Sequence, residues 1–187
     1  MIYLIRHTQS EANRKNIIGG DYPLTDKGIY EANILKEKIR FKPDVLIVSP
    51  LIRAQQTAHI LFPEKEFIID SDFREIYFGD YENTIMKKNE FLKIYKTKPS
   101  NLHEISHGDV IKERADKAIT KLHDYYTKGK NVIISHDTLI RAIICRLKGE
   151  SIDNMPQYEP LLTNGSILSI YFYAQMSVIN DNGKIII

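Results

Sequence analysis

The chain of 187 residues has a single cysteine, Cys145. No internal disulfide can form, so a reducing, cytoplasmic setting is the expectation. No apolar run is long enough to span a bilayer, and the N-terminal one stops at Arg6, short of the core of a secretion signal; no membrane partner is expected. Neither sign of charge is in excess. A net charge of +2, with no block of like charge, offers nothing to nucleic acid. There is no internal repeat and no linker, and no glycine-rich loop runs into Lys-Ser or Lys-Thr, as a nucleoside triphosphatase would need. No arginine stands six residues beyond Cys145, so the thiol reads as a small core hydrophobe and not as a nucleophile. The remaining composition, 43% hydrophobic and 27% charged, is that of one globular domain able to bury about 70% of its unfolded surface.

The hydrophobic pattern alternates short apolar strands with amphipathic helices. Ile2 to Ile5 is a buried strand ending in Arg6-His7. Thr25 can cap a helix through Ile29, Ala32, Leu35 and Ile39. Val45 to Val48 is a second strand, followed by Ser49-Pro50 and a helix from Arg53 to Phe62. Phe67 to Ile69 is a brief third strand. Phe73 to Asn101 has poor periodicity, with one helix expected around Phe91 and Leu92. Asp109 to Tyr126 is the longest helix, with Ile111, Ala115, Ala118 and Leu122 on its stripe. Val132 to Ile134 is the fourth strand, then Leu139 to Leu147 a helix with Gly149 to end it. Ser166 to Tyr173, Met176 to Ile179, and Ile185 to Ile187 around Asp181-Asn182-Gly183 read as antiparallel edge strands, and an exposed edge there could support a homodimer. Continuous apolar strands between helices predict a three-layer α/β/α domain over 1–187, with a mostly parallel sheet and an antiparallel C-terminal edge.

Three strand ends deliver the reactive side chains: Arg6-His7, Ser49-Pro50 with Arg53 just beyond, and Ser135-His136-Asp137. Ligands of open α/β sheets sit beyond the carboxyl ends of the strands. Two arginines and two histidines gathered there make a cationic pocket suited to a phosphoryl group, which guanidinium forks grip in bidentate fashion. The same guanidiniums disfavour an imidazolium and so keep a histidine neutral and nucleophilic. Glu75, between Phe73 and Ile76, becomes a proton donor if it is desolvated. No compact carboxylate cluster flanks these residues, so no metal and no cofactor is expected. His103 and His107 lack a third ligand, and His59 and His123 read as helix-surface residues.

Arg6-His7 followed by Asn13, the run Ser49-Pro50-Leu51-Ile52-Arg53-Ala54-Gln55-Gln56-Thr57-Ala58, Leu24-Thr25 with Gly28, Arg74-Glu75 with Gly79 and Glu82, Ser135-His136 with Arg141, and Asn164 with Ser166 together resemble the histidine phosphatase superfamily, the phosphoglycerate mutase-like enzymes. The resemblance implies that His7 forms a phosphohistidine, that Arg6, Asn13, Arg53 and His136 hold the phosphoryl oxygens, and that Glu75 protonates the leaving group and then activates water. It implies a metal-independent phosphomonoester hydrolase acting on a small phosphorylated metabolite, with 80–108 as a variable segment covering the substrate. Phosphoglycerate mutase-type transfer and a weakened phosphoester-binding module are the alternatives. Asp80 to Asp109 contains no arginine of the kind that mutases use for a substrate carboxylate, only Lys87, Lys88, Lys93, Lys96 and Lys98. Two positions depart from the family's usual glycine, Thr8 and Asp137. A carboxylate beside a phosphate costs about 4 kcal/mol at 4 Å with an effective dielectric near 20. Asp137 is therefore expected to point away from the pocket, or to orient His136 or a substrate amine.

Overall fold

The computed structural model describes residues 1–85, 90–104, 110–126, 129–173 and 176–181. Strands β1 (Ile2–Arg6), β2 (Val45–Val48), β3 (Ile68–Ile69) and β4 (Asn131–Ser135) pair in parallel, and β5 (Ile167–Tyr173) and β6 (Met176–Asp181) close one edge antiparallel. The order across the six-stranded sheet is β3-β2-β4-β1-β5-β6. This is the α/β architecture expected, antiparallel edge included.

Because side chains alternate across a strand, each apolar run feeds both faces. Leu46, Val48, Val132 and Ile134 pack on one face with Ala54, Ala58 and Leu61 of α3 (Ile52–Leu61). Ile47 and Ile133 pack on the other, with the stripe Ile111, Ala115, Ala118 and Leu122 of α5 (Ile111–Tyr126) and with Leu139, Ile140 and Ile143 of α6 (Asp137–Leu147). Cys145 lies in this second core, fully buried, and desolvation pushes its thiol pKa up to about 12.

The register brings the chemistry to one end of the sheet. Arg6 stands opposite Ser135, and Val48 opposite Ile134, so β1, β2 and β4 terminate together. Backbone bonds carry the alignment one residue further: His7 N–H donates to the Ser135 carbonyl at 3.1 Å, and Ser49 N–H to Ile134 at 3.0 Å.

Several local features differ from the sequence reading. Helix α2 (Asp26–Lys38) is capped by Thr25 as expected, but Ile29 is 42% exposed. Its inward face runs along Gly28 and Ala32, because the helix sits so close to the Gln9 backbone that a Cβ on Gly28 would lie 2.0 Å from the Gln9 carbonyl oxygen. Helix α6 begins two residues earlier than expected, immediately after His136. Strand β3 is only two residues long, and both isoleucines are more than half exposed at the sheet edge. A helix, α4 (Glu90–Thr97), does interrupt the irregular segment. The expected strand at Ile185 to Ile187, together with Lys87, Lys88 and His107, lies outside the described residues. Among the described residues no helix is long and apolar enough to cross a membrane.

Candidate active site

Beyond the ends of β1, β2 and β4 lies a cavity of about 180 Å³ whose lining includes Arg6, His7, Asn13, Arg53, Glu75 and Asp137. His7 follows the last residue of β1 and is 3% exposed. Its Nδ1 lies 2.7 Å from the Thr8 carbonyl oxygen, an acceptor only, so Nδ1 carries the proton. The Nε2 lone pair then faces Arg53, whose Nε–H donates to it at 3.1 Å. Burial, then the charges of Arg53 and Arg6, hold the His7 pKa well below its ordinary 6.5. The ring is thus a neutral imidazole with a defined tautomer and an unprotonated nitrogen at the cavity.

Arg53 is nearly buried on the first turn of α3, and its Nη1 donates to the Gly20 carbonyl at 2.7 Å. Gly19 and Gly20 both take left-handed φ values, +61° and +70°, which lets the loop turn its carbonyl toward the arginine. Glu82 holds that loop: its carboxylate accepts from the Gly20 N–H at 2.7 Å and from the Phe78 N–H at 3.0 Å.

Asn13 sits in the short helix α1 (Glu11–Lys15) as the third residue of a capping box with Ser10. Its Oδ1 accepts from Ser10 N–H at 3.0 Å and from Asn164 Nδ2 at 3.0 Å, which turns the Asn13 amide NH2 to the cavity it lines. Asn164 also donates to the His7 carbonyl at 3.2 Å and so ties the approach to β5 to the His7 backbone.

Glu75 is 8% exposed and lines the same cavity. Its carboxylate accepts from its neighbour Ile76 N–H at 3.0 Å and from Thr138 N–H, a free donor in the first turn of α6, at 3.2 Å. Desolvation outweighs these bonds and raises its pKa above 4.5, with the charge of Asp137 acting in the same direction. A carboxyl whose pKa is raised by burial thus stands in the same cavity wall as an unprotonated imidazole.

His136 is fully buried 5.1 Å from His7, ring centre to ring centre, behind the cavity wall. Its Nε2 lies 2.6 Å from the Ser49 hydroxyl, and its Nδ1 is buried without a hydrogen-bond partner. Ser49 Oγ also accepts from Leu51 N–H at 3.3 Å, which fixes the hydroxyl against the His136 ring. Burial and the nearby arginines hold this histidine neutral too.

Asp137 corrects two of the three expectations for it: it does not point away, and it does not orient His136. Its carboxylate lines the cavity, accepting from Arg6 Nη1 at 3.2 Å and from Arg141 Nε and Nη2 at 3.0 and 2.6 Å. Arg6 Nη1 also donates to the Leu162 carbonyl. Thr8, the other departure, is fully buried against Thr57, with its Oγ1 3.5 Å from the Thr57 hydroxyl, and is not part of the cavity lining. Among the described lysines of the variable segment, Lys96 lines the cavity and Lys93 and Lys98 are exposed elsewhere. Sequence reasoning missed the Thr138 N–H and the Thr8 and Gly20 carbonyls, which are backbone groups without a residue signature. It also missed Tyr95, which packs with its ring centre 5.9 Å from the Arg141 guanidinium.

A mostly parallel sheet whose strand ends gather a neutral histidine, two arginines and a buried carboxyl of raised pKa defines a site suited to phosphoryl groups. The chain belongs to the histidine phosphatase superfamily (branch 1), whose pattern matches residues 2–182. It is 27% identical over 180 residues to a phosphoglycerate mutase of Schizosaccharomyces pombe, covering 85% of this chain and 84% of that one. Among solved structures it resembles phosphoserine phosphatase from Entamoeba histolytica in complex with 3-phosphoglyceric acid, with a TM-score of 0.85, 26% identity, and 98% and 96% of the two chains covered. A variant of that enzyme in complex with phosphoserine gives a TM-score of 0.84 at 25% identity over 97% and 95% of the chains.

Proposed function

We propose that this chain is a metal-independent phosphomonoester hydrolase of small phosphorylated metabolites, working through a phosphohistidine. His7 Nε2 attacks phosphorus and the ester oxygen departs with the proton of Glu75. Water then attacks the phosphohistidine, giving its proton to the Glu75 carboxylate, and inorganic phosphate leaves. Arg6, Arg53 and the Asn13 amide hold the non-bridging oxygens, and His136, packed against His7, is assigned a supporting place in the same site.

The observation that carries this reading is the tautomer of His7: Nδ1 bound to the Thr8 carbonyl and Nε2 held 3.1 Å from Arg53 Nε at the cavity, with Glu75 in the same wall. A phosphate-binding module has no use for a buried carboxyl in the anion's own cavity wall. The test is release of phosphate from 4-nitrophenyl phosphate, phosphoserine and 3-phosphoglycerate in excess chelator, with an alkaline quench to trap a base-stable, acid-labile phosphoprotein. The expected result is turnover and labelling in the wild type and neither in His7→Ala. Turnover that survives His7→Ala would remove the assignment. Phosphoglycerate mutase-type transfer shares the first half-reaction, and the mutase relative keeps it in view. It predicts appearance of the isomeric phosphate ester faster than free phosphate.

A further inference from the structure

Asp137 places a carboxylate inside a site that must bind an anion, and nothing in the mechanism above uses it. Three features mark it as a built element. It occupies the first residue of α6, where the helix N-terminus favours a negative side chain. It is met by two guanidiniums from different elements, Arg6 of β1 at 3.2 Å and Arg141 of α6 at 2.6 Å. And it is in the cavity wall together with Glu75, whose second carboxylate oxygen is bound by the very next backbone N–H, that of Thr138.

We propose that Asp137 is a positioning residue, an internal counter-anion that holds Arg6 and Arg141 in place before substrate arrives and competes with the phosphoryl group for Arg6. The inference rests on the phosphatase reading for its biological meaning, but not for its test. In the free protein, Arg6 Nη1 is shared between Asp137 and the Leu162 carbonyl. A phosphoryl oxygen that reaches Arg6 must therefore share a guanidinium already half neutralised. The result is a site pre-formed for the phosphoryl group that binds inorganic phosphate less tightly than Arg6, Arg53 and Arg141 would without a counter-charge. Weak product binding is useful to a hydrolase whose last step is release of a dianion, because an unopposed cluster of guanidiniums would retain it.

The same carboxylate acts on the proton donor. The groups facing Glu75 are Asp137 and the Thr138 N–H from α6, Arg53 from α3, Tyr95 from α4 and its own neighbour Ile76 N–H. Of these, Asp137 is the charged group that favours the protonated carboxyl, and Arg53 opposes it. Removing the charge of Asp137 therefore lowers the pH at which Glu75 loses its proton.

The experiment is Asp137→Asn, which keeps the size and an acceptor oxygen for Arg141, with Asp137→Ser as a second variant and thermal melts to show that both fold. Titration calorimetry measures the binding of inorganic phosphate at fixed pH and ionic strength, independently of turnover. Phosphate should bind about tenfold more tightly to each variant, the scale set by removing one partly screened charge near the site. The alkaline limb of kcat/KM for phosphoserine, whose leaving group needs the Glu75 proton, should also move to lower pH. Unchanged or weaker phosphate binding in both folded variants would overturn the inference, even with a fully active wild type. An inactive wild type whose phosphate affinity still rises on Asp137→Asn would remove the phosphatase reading and leave the counter-anion standing. If Asp137 were itself the proton donor, Asp137→Asn would abolish turnover of alkyl phosphates while Glu75→Gln would not; that pattern also overturns the inference.

Discussion

Arg53 donates its Nε–H to His7 Nε2 at 3.1 Å and its Nη1–H to the Gly20 carbonyl at 2.7 Å. One guanidinium thus aims the nucleophilic lone pair and is itself aimed by a loop. That geometry needs the planar fork, since a lysine ammonium cannot make both bonds at fixed angles. Arg53→Lys is expected to lower kcat/KM by about 10²–10³-fold, the scale of losing one preorganised donor. Steady-state kinetics with 4-nitrophenyl phosphate measure it, and a loss under threefold would mean Arg53 does not act on the reacting group.

Glu75→Gln separates proton donation from binding. For alkyl esters such as phosphoserine, kcat should fall about 10²–10⁴-fold, the usual worth of a positioned general acid. For 4-nitrophenyl phosphate, whose leaving group needs no proton, the phosphorylation step should fall far less. A rapid-quench measurement of phosphoenzyme formation distinguishes the two substrates, and equal losses for both would deny Glu75 the role of donor.

Acid should destabilise the fold through its two buried imidazoles. His7 and His136 have pKa values well below 6.5 when folded, so the unfolded chain takes up their protons first and stability declines as pH drops beneath about 6.5. Glu75 works in the other direction: its folded pKa lies above 4.5, so its contribution is present below that pH and is lost as pH rises. Two groups against one leave a net loss of stability on going from pH 7 to pH 5. Each histidine contributes at most about 1.4 kcal/mol per pH unit. Urea unfolding at both pH values should show a shallower pH dependence in His136→Asn. An unaltered dependence would mean that His136 is charged in the folded protein.

Gly28→Ala tests the seat of α2. The added methyl would lie 2.0 Å from the Gln9 carbonyl, and backbone on both sides has to move. A destabilisation of about 1–3 kcal/mol is expected, the cost of overpacking. That is a fall in Tm of roughly 2–4 °C per kcal/mol for a chain of this size. An unshifted melting curve would show that the helix slides without resistance.

The parts of this molecule that were legible in the sequence are those written in side chains at strand ends. Val45 to Val48 followed by Ser49-Pro50, and Val132 to Ile134 followed by Ser135-His136, announce buried parallel strands and what they deliver. The long helix shows its face in Ile111, Ala115, Ala118 and Leu122, all buried as read. What was not legible depends on backbone groups and on partners distant in the chain. The N–H of Thr138 and the carbonyls of Thr8 and Gly20 shape the site, yet any residue could supply them. Asp137 read alone is a repulsive charge, and only the fold reveals the two guanidiniums that meet it. Ile29 read as part of an inward stripe, but the close approach of Gly28 to the Gln9 carbonyl sets the helix on a line one step round.

Glu82 has no contact with the nucleophile, yet its two oxygens fasten the Gly20 turn to the Phe78 turn. One of those turns steers Arg53, and the other leaves the stretch that bears Glu75. Under the proposed mechanism, a single carboxylate therefore works as a tie-rod between attack and protonation. Cutting it would loosen Arg53 and the Glu75 stretch from one another without removing any group that the mechanism assigns to phosphorus.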